Sequence, residues 1–139
     1  MTKKSVQSVM NERCLLADLN SPFIVNMHYA FQDRDTLYLV LDLLEGGDLR
    51  HHISTKVFSE IQTSTDHSNI EFFICCIILG LEYLHNNRII HRDIKPENLV
   101  LDSRGYVRIT DLGIARIKKT NNSCDTSGTP GYMCKNHLI

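Results

Sequence analysis

The sequence has almost no net charge. Fifteen Lys and Arg stand against sixteen Asp and Glu, a formal charge of -1, so no strong field draws the chain onto nucleic acid or an anionic bilayer. Any phosphate chemistry must be local, and neither nucleic acid nor membrane is expected as a partner. Proline and glycine are scarce, three and seven residues, which excludes collagen-like and low-complexity chains. The five cysteines, Cys14, Cys75, Cys76, Cys124 and Cys134, contain no C-x-x-C pair and are odd in number. That argues against a disulfide framework and for reduced thiols, with the cytoplasm as the expected location and the nucleus as the alternative. A zinc module fails on spacing, because Cys134-x-x-His137 is a lone half-site. The longest apolar run, Phe72 to Leu81, is half of the roughly twenty residues that span a bilayer. No apolar stretch follows the N-terminal Met-Thr-Lys-Lys-Ser, so no secretory signal is read there. There is no internal repeat. At 139 residues two full domains are excluded, while 42% apolar and 22% charged residues are enough for a packed globular core.

Apolar residues at Val6, Val9, Met10, Leu16 and Ala17 fall on a helical stripe from Val6 to Leu19, ended by Asn20-Ser21-Pro22. Glu12 lies inside that stripe. Its carboxylate either meets a cation there or sits on the border and reaches water, the commoner arrangement for a glutamate. Phe23 to Phe31 and Thr36 to Leu41 read as a hairpin around Gln32-Asp33-Arg34-Asp35. Gly46-Gly47 breaks the chain. Ile70 to His85 is apolar on two faces, the pattern of a helix at the centre of a domain. Ser64 to Asn69 before it reads as a surface loop. Leu99 to Leu101 and Tyr106 to Thr110 flank Asp102-Ser103-Arg104-Gly105 as a second hairpin, and Lys118 to Ser127 is a polar loop.

The chemistry is concentrated around that second hairpin. His91-Arg92-Asp93-Ile94-Lys95-Pro96-Glu97-Asn98 leads into its first strand and Asp111 leaves the second. Antiparallel strands return to the same end, so Asn98 and Asp111 should lie side by side with Asp93 and Lys95 nearby. Such an oxygen-rich pocket suits Mg2+, which takes few protein ligands and shares its shell with phosphates and water. Lys95 could neutralise a phosphoryl group, and Asp93 could accept a proton from a hydroxyl nucleophile.

Three motifs in order resemble the protein kinase family: H-R-D-x-K-x-x-N at His91 to Asn98, D-x-G at Asp111-Leu112-Gly113, and G-T-P-x-Y at Gly128 to Tyr132. The resemblance implies an α+β chain with an incomplete protein kinase-like fold. Its parts are a helix, a hairpin, a hinge, two more helices, the catalytic loop, the second hairpin and the activation segment. Residues 1–41 would be a residual N-lobe and 42–139 a partial C-lobe. It implies Asp93 as catalytic base, Lys95 on the γ-phosphate of ATP, Asn98 and Asp111 on Mg2+, Arg92 facing the activation segment, and Thr129 among the catalytic residues. On the nucleotide side it implies Glu12 as the helix glutamate, Leu41 as gatekeeper, Asp42 to Leu44 as the hinge against adenine, Asp48 near ribose and Val100 under the adenine ring. His91, Leu112, Leu16 and Met27 match the stacked hydrophobic spine. Asn11 to Asp48 looks most like the serine/threonine kinases of the cyclic-nucleotide-dependent and related group. Ile94-Lys95-Pro96 favours Ser/Thr over Tyr. Glu97 with Asp48 fits a protein substrate that is basic around its target, or both are plain surface charges. Asp125 falls where many relatives carry a phosphorylated threonine, and its charge would pair with Arg92.

The resemblance also has gaps. No G-x-G-x-x-G loop and no V-A-x-K strand precede Glu12, and the A-P-E expected after Met133 reads Cys134-Lys135-Asn136. The chain is therefore read as truncated at both ends and inactive alone. Its exposed apolar faces are expected to make it marginal in solution. The rival function is a silent binding or interfering module whose partner covers those faces.

Overall fold

Alternation and periodicity become real elements where each apolar set finds a surface to cover. The computed structural model describes residues 3–55, 63–118 and 127–133, with the side chains of 3–5 and 63–68 outside that description. Segments 119–126 (Cys124, Asp125, most of the expected polar loop) and 134–139 (Cys134, Lys135, Asn136, His137) lie outside the described residues.

Helix α1 runs Lys3–Leu16 and ends three residues before the apolar stripe does; the turn Ala17–Asp18 follows, and Leu19 still reaches the core by that turn. Its buried residues are Leu15 and Leu16, while Val6 and Met10 face outward. Strands β1 (Met27–Gln32) and β2 (Leu37–Leu41) pair antiparallel, closed by Asp33, whose Oδ1 accepts the N–H groups of Asp35 and Thr36 at 3.0 and 2.8 Å. The register shifts between Met27 and Tyr29, which leaves His28 as a bulge.

The expected first strand is not continuous from Phe23. Phe23 to Val25 pair instead with the second hairpin, through Ile109 N–H to Phe23 O at 2.9 Å and Val25 N–H to Ile109 O at 3.0 Å. These two bonds join the hairpins. Helix α2 (Leu49–Thr55) is capped by Asp48, whose Oδ1 accepts His51 N–H at 2.8 Å.

Helix α3 spans Thr63–Asn86. The expected loop at Ser64 to Asn69 is therefore corrected to helix; Thr63-Ser64-Thr65-Asp66 carries the residue types that favour a helix N-terminus, so the following apolar helix extends back into it. After α3 come β3 (Ile89–Ile90), the short turn Pro96–Asn98, β4 (Leu99–Leu101), β5 (Val107–Ile109) and β6 (Arg116–Ile117). β4 pairs with β5 and β3 with β6, both antiparallel.

The core sits where α1, α3 and the β4–β5 hairpin meet: Leu16, Ile24, Leu84, Val107, Ile109 and Leu112 are all but inaccessible to solvent. Gly80 is what lets α3 come this close, since a Cβ there would lie 2.8 Å from Ile109 Cδ1 and 3.0 Å from Phe23 O. The opposite face of α3 is bare, with Ile70, Phe72, Ile74, Ile78 and Leu79 exposed. So is one face of the first hairpin, where Phe31 and Tyr38 stack at 4.9 Å.

Gly80→Val should therefore lower stability by about 1–3 kcal/mol through overpacking. Urea denaturation checks it: the midpoint falls while the slope is kept, whereas an unchanged midpoint would mean that α3 and β5 do not touch there.

Candidate active site

The turn into the site is made by left-handed backbone at Arg88 (φ 60°) and Arg92 (φ 71°) on either side of β3. Between β3 and β4 the loop is anchored by His91, which is buried. Its Nε2 donates to Thr110 O at 2.9 Å and its Nδ1 accepts Asp93 N–H at 3.2 Å, which fixes a neutral ring with the proton on Nε2. Burial pushes its pKa down in the same direction, against the Thr110 bond and the charges of Asp111 and Asp93.

Asn98 ends the short turn and is also buried. Its side-chain amide donates to Asp93 O at 2.9 Å and Asp93 Oδ2 at 3.2 Å. In the hairpin register Leu99 faces Ile109, so Asn98 faces Thr110, and Thr110 N–H donates to Asn98 O at 2.9 Å. The next residue, Asp111, turns with φ 62° and is exposed, its Oδ1 accepting Gly113 N–H at 3.1 Å.

The Asp93 carboxylate is held on both oxygens. Lys95 Nζ donates to Oδ2 at 2.8 Å, while the Thr129 N–H donates to Oδ1 at 3.1 Å and the Thr129 hydroxyl donates to the same oxygen. Lys95 Nζ also reaches Thr129 Oγ1 at 2.9 Å, closing a triangle. Burial raises the Asp93 pKa, but the bonds from Lys95 and Thr129 and the Lys95 charge outweigh it and hold the carboxyl below its usual range. The hydrogen bond to Asp93 raises Lys95 in turn, helped by the charges of Asp93, Glu97 and Asp111. A hydroxyl between a carboxylate and an ammonium is the arrangement needed to orient an alcohol and take its proton. Arg92 points onto the segment after Asp111, its guanidinium donating to Ile114 O, from Nε at 2.7 Å.

Helix α1 is docked on that same segment. Glu12 Oε1 accepts Leu112 N–H at 3.3 Å, and among the described residues no cation lies within ion-pair distance of it. The cation partner is thus not found among the described residues: the carboxylate is half-buried at the border of the helix and rests on a backbone amide. Burial raises its pKa, and so does the charge of Asp111, against the Leu112 N–H. Asn11, which the sequence reading passed over, donates from Nδ2 toward the carbonyls of Leu112, Gly113 and Ala115 at 3.2, 3.3 and 3.0 Å. Its signal was a second polar residue beside Glu12. Gly113 lies against Ser8, so that a Cβ there would require the Ser8 hydroxyl to move aside and would crowd Asp111 Oδ1 at 3.1 Å.

The expected nucleotide-side residues are more scattered in what they do. Leu41, Leu44 and Val100 are half-buried, with Leu41 and Leu44 packed on the core cluster. The Asp42 side chain is turned away into a buried network: Oδ2 accepts Arg108 Nη1 at 2.8 Å, Asn26 Nδ2 at 2.8 Å and Asn26 N–H at 3.0 Å, and Oδ1 pairs with the bulged His28 at 2.8 Å. Arg108 also reaches Asp102 Oδ2 at 3.2 Å, and its buried Nε has no partner. Burial raises the Asp42 and Asp102 pKa values, but their hydrogen bonds and the Arg108 charge more than offset it. Asp48 caps α2 as described, and Glu97 lies 3.9 Å from Arg50.

Among the described residues no three His, Cys, Asp or Glu side chains are placed to hold a metal. Asn98 and Asp111 instead offer two oxygen-bearing side chains. With the Asn98 amide nitrogen spent on Asp93, its Oδ1 and the Asp111 carboxylate have the donor chemistry of a hard ion that keeps most of its shell for water and phosphate.

Residues 1–138 match the family described as protein kinase domain. Over 136 residues the chain is 44% identical to a probable serine/threonine-protein kinase of Dictyostelium discoideum, covering 96% of the chain and 28% of that protein. It is 41% identical over 133 residues to serine/threonine-protein kinase 32B of Homo sapiens, covering 94% and 30%. It is 42% identical over 125 residues to human ribosomal protein S6 kinase alpha-1, covering 88% and 16%. The chain thus spans less than a third of the length of each of these relatives.

The opposed shifts give a pH signature. Glu12, raised in the fold above its ordinary 4.5, costs stability as pH rises through that window and at all higher pH. Asp42, Asp93 and Asp102, lowered from 3.8, add stability above their ordinary value that is lost as pH falls through their folded values. Glu12→Gln should therefore raise the thermal midpoint at pH 7, with the gain gone at about pH 3, where either side chain is neutral. Equal midpoints at pH 7 would contradict it.

Proposed function

The chain belongs to the protein kinase domain family, and on that premise we propose that it carries the phosphoryl-transfer centre of a serine/threonine protein kinase acting on hydroxyls of a protein substrate. The observation that carries this reading is the Asp93–Lys95–Thr129 triangle, in which a hydroxyl already donates to the carboxylate. In this reading Asp93 orients the substrate hydroxyl and accepts its proton. Its lowered pKa keeps it ionised and hydrogen-bond accepting at neutral pH. Lys95 places its charge where the transferred group gains negative charge. Thr129 holds the carboxylate rotamer, and Arg92 ties the loop to the segment after Asp111.

Mg2+ and ATP, when bound, supply the phosphoryl group and neutralise its charge, with Asn98 and Asp111 as the residues that would hold the ion. Leu41, Val100 and the Asp42–Leu44 backbone would face the adenine, and Asp48 the ribose. The Asp42 side chain is reassigned from ligand contact to holding the hinge, as its four hydrogen bonds support. The division at Leu41 between a residual N-lobe and a partial C-lobe belongs to the same proposal.

The sequence contains neither G-x-G-x-x-G nor V-A-x-K, so nucleotide would be held from one side, and full activity is proposed for a chain that supplies both. A basic substrate preference rests on Glu97 and Asp48, each partly engaged already by Arg50 and by the α2 cap. No helix among the described residues is long and apolar enough to cross a membrane; a cytoplasmic location is the proposal that fits unpaired thiols at Cys14, Cys75 and Cys76. The second reading, a silent binding module, is favoured by the bare apolar face of α3.

Labelled-phosphate transfer from ATP to a serine-bearing peptide separates the two. In a chain that supplies both missing motifs, Asp93→Asn should cost on the order of 10²–10⁴ in rate, and Asp111→Asn should raise the metal concentration needed. Transfer that survives both substitutions unchanged would overturn the enzyme reading.

A further inference from the structure

Away from Asp93, a cavity of about 320 Å3 opens where the end of α3, the turn into β3 and the end of β6 come together. It falls within the range of small-ligand cavities, about 300–1,000 Å3. Its floor is Ile89 and Ile90, and its other lining residues are His85, Arg88 and Lys118. None is acidic.

Several other cations among the described residues have partners. Lys95 and Arg108 bind carboxylates, Arg50 and Arg104 lie within 4 Å of one, and Arg92 donates to a carbonyl. Among the described residues the side chains of Arg88 and Lys118 make no hydrogen bond and no ion pair. They are nevertheless held together by their backbones, because Lys118 N–H donates to Arg88 O at 2.6 Å and Ile89 pairs with Ile117. Arg88 sits in left-handed backbone (φ 60°), a strained conformation for a long side chain that the turn uses to place it beside the cavity. Two uncompensated cations and an imidazole converge on one concave, apolar-floored site, which concentrates positive potential there. Arg offers a planar fork for two anionic oxygens and Lys a point charge.

We infer that this cavity is a binding site for a dianionic phosphate group, free or esterified to a protein side chain. It is independent of the phosphoryl-transfer reading. The Arg88 fork takes two phosphate oxygens, Lys118 a third, and His85 adds a ring N–H, while Ile89 and Ile90 give the apolar part of an esterified ligand a surface to lie on. Because Ile90 immediately precedes His91, an occupied cavity would tie β6 to the start of the catalytic loop.

Equilibrium dialysis of the full chain with labelled inorganic phosphate at low salt tests this. One phosphate should bind, and Arg88→Asn with Lys118→Gln should weaken it by about tenfold per cation removed, the size of one charge-assisted hydrogen bond; Asn tolerates the left-handed backbone. Lys118→Glu alone, on an exposed side chain, is the second variant and should also abolish binding. Lys95→Met should leave it unchanged. A phosphoserine peptide binding more tightly than phosphate, with its unphosphorylated form silent, assigns the source to a modified protein; equal or weaker binding assigns it to the free ion. No binding to the unsubstituted chain, binding that survives the double substitution, or binding lost in Lys95→Met would overturn the inference.

Discussion

The short ladder between β4 and β5 is the constraint from which the rest of the site follows. Three residue pairs fix the register, and that register places Asn98 opposite Thr110 and Asp111 one residue beyond. Slipping it by one would send Asn98 to the wrong face and bury Arg108 without Asp42 or Asp102. Thr110 matters at both levels, since its N–H closes onto Asn98 O and its carbonyl receives His91. The catalytic loop is thus suspended from the hairpin by backbone groups, with its acidic, basic and amide side chains free to face one another.

Helix α1 presses on the other side of the same hairpin exit. Asn11 and Glu12 satisfy backbone groups of 112, 113 and 115, and Gly113 lies against the Ser8 hydroxyl. The position of Asp111 therefore depends on a helix a hundred residues earlier in the chain. That coupling is electrostatic as well as steric: the charge of Asp111 raises Glu12 and supports Lys95. Helix α1 thus meets the segment after Asp111 through the side chains of Asn11 and Glu12, with no lysine partner for Glu12 among the described residues.

Much of this was legible in the sequence because it is local. Turn residues marked both hairpins, the two-faced apolar pattern marked α3, and the spacing from His91 to Asp111 placed acid, amide and base together. What was not legible depends on partners distant in sequence. Nothing local marks Arg108, and only the fold sets it between Asp42 and Asp102. Phe23 to Val25 have strand composition, which says nothing about which strand they join; Ile109 decides it. The start of α3 was missed because Ser and Thr favour turns and helix ends alike. Asp42 was assigned by its place in a motif, and its side chain was claimed by a network that the motif does not record.

Paramagnetic broadening by Mn2+ in the presence of nucleotide tests the central claim most directly. The amide signals of Asn98 and of Thr110 to Gly113 should broaden first, and Asp111→Asn should abolish that pattern. Broadening centred on unrelated carboxylates, such as Asp33 and Asp35 in the first hairpin turn, and indifferent to Asp111→Asn, would contradict the account.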